Sequence, residues 1–381
     1  MARPMVLSAE RGAGGRARAS RRFSVEVCDS LDQARPQWAE LDDEALPFQR
    51  LAWLAPWYEI VAPRHGARPV FVTVRDAATG RPLLFLPLCL RRWRGLRLIQ
   101  FAGFGVSDYN APLLAQGFEP SRAELDRLWP RILSALPAAD LIRFERVPER
   151  ILGRAIAFAR LGWLRPMDLG AWMLELPETA PDYEDHILSA KTRKENRRKT
   201  RRLREKAGDF QLEPARATET ADAYLEALRR QRGARFGADN NLDHPCFLAF
   251  YRAVIHGHLN TLAEIWALKA GERILATHLA LRGPRGYLLI MHGFDATLDG
   301  GAAGIVALDQ MIRRRIDLGD RYFDFTIGNE SYKQQFGVKR VMLHEGFYPA
   351  SPLGAAAILA HSALKYGCEA FAALRERANA R

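Results

Sequence analysis

The 381-residue chain contains only four cysteines, and they lie far apart in the sequence. No two of them form a Cys-x-x-Cys pair, and no histidine follows them at the spacing of a zinc finger. A Gly-x-Ser-x-Gly elbow and a Walker phosphate-binding loop are also missing. We therefore expect reduced, buried thiols, no metal centre, no hydrolase elbow and no P-loop.

No segment reaches the roughly 18 consecutive apolar residues that span a bilayer. The pair Arg21-Arg22 is not followed by an apolar run, so it does not predict a secretion signal. We expect a cytoplasmic protein whose residues 1–21 form a disordered basic tail. The Ala- and Leu-rich residues near the other end predict a C-terminal helix at 351–381 that packs on the body.

Acidic residues are too few to balance the basic ones, and the formal net charge is +12. Residues 1–22 carry +5 of this charge and residues 191–206 carry +8, which leaves about −1 for the rest of the chain. The pI of 9.8 therefore reflects one tail and one segment. A generally basic, polyanion-coating protein is not indicated.

Hydrophobic periodicity after residue 208 predicts elements in the order β-α-α-β-β-β-α-β-α-β. The strands are expected at 210–214, 261–269, 273–281, 286–292, 321–325 and 341–348, and the helices at 218–235, 245–259, 301–318 and 331–336. Residues 23–176 show the same order without visible identity, with a helix expected at 150–160 and a last strand at 171–176. The chain is therefore predicted to be a duplicated α/β protein with mixed sheets.

The segment 323–337 has the pattern of a buried strand, a glycine turn and a short helix. In open α/β sheets, ligands bind beyond the C-terminal strand ends. Acyl transfer needs a base for the attacking group and a positive group for the developing oxyanion. We assign Asp324 or Glu330 as base, and Lys333, helped by Tyr332, as oxyanion partner. The alternative is a Glu330–Lys333 salt bridge on a surface helix.

A resemblance to a known family rests on a set of five residues that follow a glycine-led helix. They are Asp324, Gly328, Glu330, Tyr332 and Lys333. They resemble the signature of the GNAT-like acetyltransferases found with bacterial cellulose-biosynthesis genes, a family related to the FemAB-type peptidyltransferases. Weaker similarities lie at 105–109, 191–197, 274–279 and 293–295.

The resemblance implies tandem GNAT-like domains with the acyl-CoA N-acyltransferase fold, a mixed sheet splayed at its centre. A degenerate domain is expected at 22–180, a basic linker helix at 181–207 and a catalytic domain at 208–350. The resemblance also implies that the acceptor binds between the domains. By position it implies that Lys333 stabilises charge during transfer.

Acyl-CoA enzymes usually carry Arg/Gln-x-x-Gly-x-Gly/Ala, whose backbone N–H groups hold the pyrophosphate at a helix N-terminus. This chain keeps the Gly-x-Ala core, but Leu298 stands where the Arg or Gln is expected. We assign Gly301, Ala303 and Gly304 to cofactor binding, with acetyl-CoA or another acyl-CoA as co-substrate. A glycine-rich helix start without a ligand is the alternative.

The basic segment 191–206 and two further sites supply the remaining candidates. Arg193 and Arg197 are assigned to the cofactor and Lys194 to the acceptor, with a solvated linker helix as the alternative. Three more residues are assigned to acceptor binding: Asp108, Tyr109 and His292. Asp108 and Tyr109 need no function if they form a simple loop turn.

These features predict an N- or O-acyltransferase that uses acetyl-CoA. Its expected acceptor is an amine or hydroxyl of a sugar, a polysaccharide precursor or a cell-envelope intermediate. Two alternatives stay open. One is a FemAB-type transferase that uses aminoacyl-tRNA, and the other is a non-catalytic protein whose basic helix holds an anionic polymer.

Overall fold

A computed structural model describes residues 22–42, 45–298, 301–361 and 363. The predicted tail at 1–21 and the end of the predicted helix at 351–381 lie outside these residues, whereas 352–361 are helical. The first half contains β1 (Phe23–Cys28), α1 (Leu31–Asp42), α2 (Leu51–Pro56), α3 (Ala62–Arg64), β2 (Arg68–Asp76), β3 (Pro82–Trp93), β4 (Leu96–Phe101), β5 (Leu113–Leu114), α4 (Arg122–Ala135), β6 (Leu141–Pro148), β7 (Arg150–Ile151), β8 (Arg154–Ala155), β9 (Arg165–Pro166) and β10 (Ala171–Glu175).

The rest of the chain repeats this order after a linking helix. Its elements are α5 (Ala180–Asp182), α6 (Ala190–Ala207), β11 (Gln211–Pro214), α7 (Thr218–Phe236), α8 (Pro245–His258), β12 (Ala263–Ala270), β13 (Arg273–Gly283), β14 (Gly286–Phe294), α9 (Ala302–Asp317), β15 (Tyr322–Ile327), β16 (Lys339–Val341) and β17 (Leu343–Pro349). The predicted short helix at 331–336 is a 3-10 helix, Ser331–Phe336. Ser189 caps the N-terminus of α6, and Gly208 ends it.

The strands form two mixed sheets of matching order. The N-terminal sheet runs β1-β2-β3-β4-β6-β17-β9, and the C-terminal sheet runs β11-β12-β13-β14-β15-β10-β16. Each sheet contains one parallel pair near its centre, β4 with β6 and β14 with β15. The other strand pairs of these orders are antiparallel. The fold is thus a tandem α/β arrangement of two GNAT-like units.

The two halves exchange a strand. β17, from the end of the second half, pairs with β6 in the N-terminal sheet. β10, from the end of the first half, pairs with β15 in the C-terminal sheet. The two exchanged strands occupy equivalent places beside the second strand of each parallel pair. The backbone hydrogen bonds of each sheet therefore depend on both halves of the chain.

A hydrophobic core continues from one half to the other. The indole of Trp53 on α2 has no exposed surface and packs edge-on against Phe250 on α8, with ring centroids 4.8 Å apart. Tyr251 lies next to Phe250 and is also buried. Burying aromatic rings of this size removes a large apolar area from water, so the contact holds the two halves together.

The predicted helix at 150–160 is wrong. Residues there form the short hairpin of β7 and β8, followed by a 3-10 turn, Ala157–Arg160. The turn residues Leu152 and Gly153 both have positive φ, 46° and 80°. Two successive residues in the left-handed conformation form a tight hairpin turn, which a helix cannot contain. Glycine adopts this conformation readily. The helical periodicity of the segment did not reveal this.

Candidate active site

The end of β15 carries a buried carboxyl group. β14 and β15 are paired only from Gly286 with Tyr322 to Leu288 with Asp324, and beyond Asp324 the two strands separate. The side chain of Asp324 has no exposed surface. Its Oδ1 accepts a hydrogen bond from the backbone N–H of Thr326 at 2.7 Å. The splayed sheet thus places an acid where open α/β sheets bind ligands.

The Asp324 carboxyl is also bonded to the first half of the chain. The hydroxyl of Tyr109, which is fully buried, donates to Asp324 Oδ1 at 2.8 Å. Oδ2 is buried and has no hydrogen-bond partner among the described residues. Burial raises the pKa of Asp324 to about 7, although the hydrogen bonds from Tyr109 and Thr326 oppose the shift. The carboxyl therefore changes protonation near neutral pH.

Asp108 brings a second carboxyl to the same junction. Its side chain is 17% exposed, and one oxygen lies 3.9 Å from Arg146 Nη1 on β6. Burial raises the pKa of Asp108, and the charges of Arg146 and Lys333 oppose that effect. The Asp108 charge in turn raises the pKa of Asp324. The two acids come from different halves and interact electrostatically.

The backbone around these acids has an uncommon conformation. Thr326 has φ of 52° and Arg146 has φ of 54°, both in the left-handed region. For a β-branched residue such as threonine this conformation is strained, and such strain tends to occur at functional sites. The strained turn aims the Thr326 N–H at Asp324, and its hydroxyl donates to Leu289 O at 3.1 Å.

Lys333 is buried and fully engaged. It is 3% exposed, and its Nζ donates to Phe325 O at 3.2 Å and to Ile327 O at 2.8 Å. Nζ also lies 3.1 Å from Glu330 Oε2, so the i,i+3 ion pair forms, on a buried lysine. An ammonium group has three donors. Stabilising an oxyanion would thus require Lys333 to exchange the Glu330 contact for the acyl oxygen.

A cleft of about 460 Å³ opens on the other side of the Ser331–Phe336 turn. It is lined by Lys199, Arg235, His292, Phe294, Gly301, Gly304, Ile305, Ser331, Tyr332 and Gln335. Four predicted site residues, Gly301, Gly304, His292 and Tyr332, therefore meet in one cleft. Tyr332 faces the cleft, and its neighbour Lys333 contacts the strand end, so the cleft adjoins the carboxyl pair.

The start of α9 has the features of an anion site. Gly301 is its N-cap with φ of 97°, and a glycine has no side chain that could cap the first N–H groups of the helix. A Cβ atom at Gly304 would stand 2.7 Å from Phe294 Cδ1 and 2.8 Å from His292 Nε2, so only glycine leaves the space open. A helix N-terminus beside Lys199 and Arg235 fits the pyrophosphate of an acyl-CoA.

His292 lies in the cleft in its neutral form. Burial lowers the pKa of His292 well below its ordinary value, and His278 lowers it further. The two imidazole rings meet edge to face, with centroids 4.9 Å apart. His292 Nδ1 is buried without a hydrogen-bond partner among the described residues.

The structure places the remaining sequence candidates elsewhere. Arg193 donates to the backbone oxygens of Glu184, Asp185 and Leu188, and Arg197 forms an ion pair with Glu184. Lys194 is exposed. Ala303 is buried in a small cluster between α6 and α9. None of these four side chains lines the cleft.

Lys199 and Arg235 are cleft residues that the sequence analysis missed. At 100° per residue, Lys199 lies on the same face of α6 as the buried Thr192, Asn196 and Leu203. This face packs on α9, where Asn196 Nδ2 donates to Asp309 Oδ1 at 3.2 Å. The uncharged residues Thr192, Asn196 and Leu203 recur at helical spacing in the basic segment, and this spacing could have identified the inward face.

Within the described residues, no group of three or more acidic, histidine or cysteine side chains is arranged for a metal ion. None of the described helices is both long and apolar enough to cross a membrane.

Comparisons with known proteins agree with this geometry. Residues 190–334 match the model of a family described as an acetyltransferase (GNAT) domain. The fold is similar to the crystal structure of FemX, with a TM-score of 0.54 and 12% identity over 84% of this chain and 96% of that one. Comparison with curated proteins gives no match.

Two other solved structures share the fold. One is the C-terminal domain of a putative lysylphosphatidylglycerol synthetase from Agrobacterium fabrum, with a TM-score of 0.52 and 10% identity over 88% of this chain and 97% of that one. The other is a conserved protein of unknown function from Bacteroides thetaiotaomicron VPI-5482, with a TM-score of 0.51 and 10% identity over 85% and 99% of the chains. Residues 190–334 are therefore similar to a GNAT acetyltransferase domain, and they lie within a tandem GNAT-like fold.

Proposed function

We propose that the protein transfers an acyl group from acyl-CoA, with acetyl-CoA as the simplest donor, to an amine or hydroxyl of a sugar, a polysaccharide precursor or a cell-envelope intermediate. The observation that carries the proposal is the nearness of two sites, since Tyr332 lines the cleft and the next residue, Lys333, acts electrostatically on Asp324. The cleft at the start of α9 has anion-binding features, and the adjoining junction of the two halves holds carboxyl groups of raised pKa. Acyl transfer needs both kinds of group side by side.

The donor would lie in the cleft. Backbone N–H groups at the start of α9 would bind the pyrophosphate, and the charges of Lys199 and Arg235 would balance its phosphates. Neither cation forms an ion pair with a carboxylate among the described residues, so their charges are available to a ligand. Burial lowers the pKa of Lys199, which indicates that its ammonium is partly removed from water.

The acceptor would approach from the junction of the two halves. There, a carboxylate takes the proton of the attacking amine or hydroxyl. Tyr332, which lines the cleft next to Lys333, would orient the acyl group. Asp324 and Glu330 remain the bases predicted from sequence, and they differ in access, because Asp324 is fully buried and the Glu330 side chain is 35% exposed.

Calorimetric titration with acetyl-CoA tests the donor site. We expect micromolar binding to the wild type and a loss of at least 30-fold, about 2 kcal/mol, in a Lys199→Glu/Arg235→Glu variant. Arg201→Glu is the matched control, because Arg201 lies on the same helix, is exposed and pairs with Glu205. No binding to the wild type at millimolar acetyl-CoA would exclude acetyl-CoA as the donor.

One observation favours a second candidate, a FemAB-type transferase that uses aminoacyl-tRNA. The outward face of α6 carries four exposed cations three or four residues apart: Lys191, Lys194, Arg198 and Arg202. They form no ion pair with a carboxylate of the described chain. Such a stripe suits a phosphate backbone. If acetyl-CoA does not bind, salt-dependent binding of bulk tRNA with transfer of an aminoacyl group supports this candidate, and binding without transfer supports a non-catalytic role.

A further inference from the structure

The predicted base Asp324 cannot itself meet an acceptor. Its side chain has no exposed surface, and its Oδ1 is held by Tyr109 and by the Thr326 N–H. A catalytic base must come within hydrogen-bond reach of the proton that it removes. Asp324 therefore needs a partner that faces the solvent-accessible part of the junction.

Asp108 has the required access and surroundings. It precedes Tyr109 in the chain, so the residue that bonds Asp324 also fixes the position of the Asp108 backbone. The Asp108 side chain retains 17% exposure. In contrast, Glu330 Oε2 lies 3.1 Å from the Lys333 ammonium, a closer ion pair than the 3.9 Å between Asp108 and Arg146.

Charged or titratable groups from five elements interact electrostatically with Asp108. These groups are Arg146 from β6, Asp324 from β15, Arg232 from α7, Tyr251 from α8 and Lys333 from the Ser331–Phe336 turn. The site is therefore built by both halves. Arg232 also acts on His292 and Tyr332 of the donor cleft, so the junction and the cleft are close neighbours.

We propose that Asp108, a residue of the first half, is the catalytic base of the acyl transfer, and that Tyr109 and Asp324 are positioning residues that set its geometry and charge. This inference rests on the proposed function. The acceptor's N–H or O–H proton passes to the Asp108 carboxylate as the bond from nitrogen or oxygen to the acyl carbon forms. The carbon–sulfur bond breaks, and the proton on Asp108 passes through solvent to the departing CoA thiolate, which restores the Asp108 carboxylate.

The electrostatic coupling of the two acids supports this assignment. The Asp108 charge raises the pKa of Asp324. Burial raises the pKa of Asp108 itself, which makes it a stronger base than an exposed aspartate. Once Asp324 ionises near pH 7, its negative charge raises the basicity of Asp108 further.

The test compares four variants with the wild type: Asp108→Asn, Asp324→Asn, Tyr109→Phe and Glu330→Gln. The probes are release of thiol from acetyl-CoA in water alone and in the presence of glucosamine, followed from pH 5 to 9. We expect Asp108→Asn to lower kcat/KM about 100-fold or more across this range. Asp324→Asn keeps at least a tenth of the activity but loses the rise near pH 7, and Tyr109→Phe moves that rise to higher pH. Acetyl-CoA affinity, measured calorimetrically, stays within about threefold in each variant and confirms that it is folded.

A second measurement needs no turnover. In protein with ¹³C-labelled aspartate carboxyls, Asp324 should titrate near pH 7 in the wild type, lower in Asp108→Asn and higher in Tyr109→Phe. Asp32→Asn is the control, because its side chain is 93% exposed. An unmoved Asp324 titration in Asp108→Asn overturns the proposal. So does a folded Asp108→Asn enzyme with normal turnover, or a Glu330→Gln or Asp324→Asn variant that loses as much activity as Asp108→Asn.

The outcomes separate the two levels of the argument. Acetyl-CoA binding and thiol release that survive in Asp108→Asn reject the base assignment and leave the acyltransferase function intact. A wild-type enzyme that neither binds nor turns over acetyl-CoA rejects the function, and the base assignment with it.

Discussion

The hydroxyl of Tyr109 donates a 2.8 Å hydrogen bond to Asp324, a residue 215 positions later in the chain. Both side chains are fully buried, and each belongs to a different half. A short hydrogen bond to a buried carboxylate is charge-assisted and strengthens as the surroundings exclude water. The first half therefore contributes directly to the candidate site on β15 of the C-terminal sheet.

Asp324 should make the protein less stable as pH rises from about 4 to 7. Its pKa is about 7 in the folded protein and near the ordinary value when unfolded, so the folded state binds more protons in that window. A shift of this size corresponds to about 4 kcal/mol. Urea denaturation at pH 5 and pH 8 should show a smaller loss of stability in Asp324→Asn than in the wild type. The exposed Asp32→Asn variant should keep the wild-type loss, and an equal loss in all three proteins would contradict this explanation.

Gly304→Ala should weaken acetyl-CoA binding by tenfold or more. A Cβ atom there would meet Phe294 and His292 within 3 Å, so these cleft side chains must move into the space of the ligand. Gly257→Ala is the helical control, since a Cβ there meets nothing within 4 Å. We expect the control to bind normally and to gain up to about 1 kcal/mol of stability from helix propensity. Calorimetry and thermal unfolding measure both effects, and equal affinities in the two variants would disprove the role of Gly304.

Gly328→Ala should disrupt the turn between β15 and the Ser331–Phe336 helix. Gly328 has φ of 128°, and a Cβ there would collide with Glu330 Oε2 and stand 2.9 Å from Lys333 Nζ. We expect a stability loss of roughly 2–4 kcal/mol from strain and the displaced ion pair, together with reduced turnover. Gly271→Ala separates the two causes, because Gly271 also has positive φ, 56°, but an added Cβ meets nothing within 4 Å. Urea unfolding that shows equal losses in both variants would assign the effect to backbone strain alone.

The two halves should unfold in one transition. β10 and β17 are exchanged between the sheets, and Trp53 packs on Phe250 across the halves. Removing either half would leave the other sheet without one of its strands. Urea curves from tryptophan fluorescence and far-ultraviolet circular dichroism should therefore coincide. Two separated transitions, or an isolated fragment 22–180 that folds by itself, would show that the exchange is not structurally important.

Part of the site followed from local sequence. Asp324, Gly328, Lys333 and the glycines of the α9 start lie where a strand, a turn and a helix N-terminus predict them, because these features depend on neighbouring residues. Lys199 was not predicted as a cleft residue. The helix holds ten basic residues, and their charge alone does not show which of them faces inward. Arg193 and Arg197 were assigned to the cofactor on charge alone, and the structure shows that they bond to the preceding turn and to Glu184.

The order of helices and strands was readable from periodicity in both halves, except at the hairpin of β7 and β8, since local backbone preferences and side-chain faces repeat at short range. Only the packed structure decided which strands pair. Nothing local distinguishes β10 or β17 as belonging to the opposite sheet, because strand pairing depends on contacts between segments that are far apart in the sequence. The same long-range packing brings Asp108 and Tyr109 to Asp324. The pairing of the two acids, Asp108 and Asp324, was therefore decided by the tertiary structure and not by the local sequence.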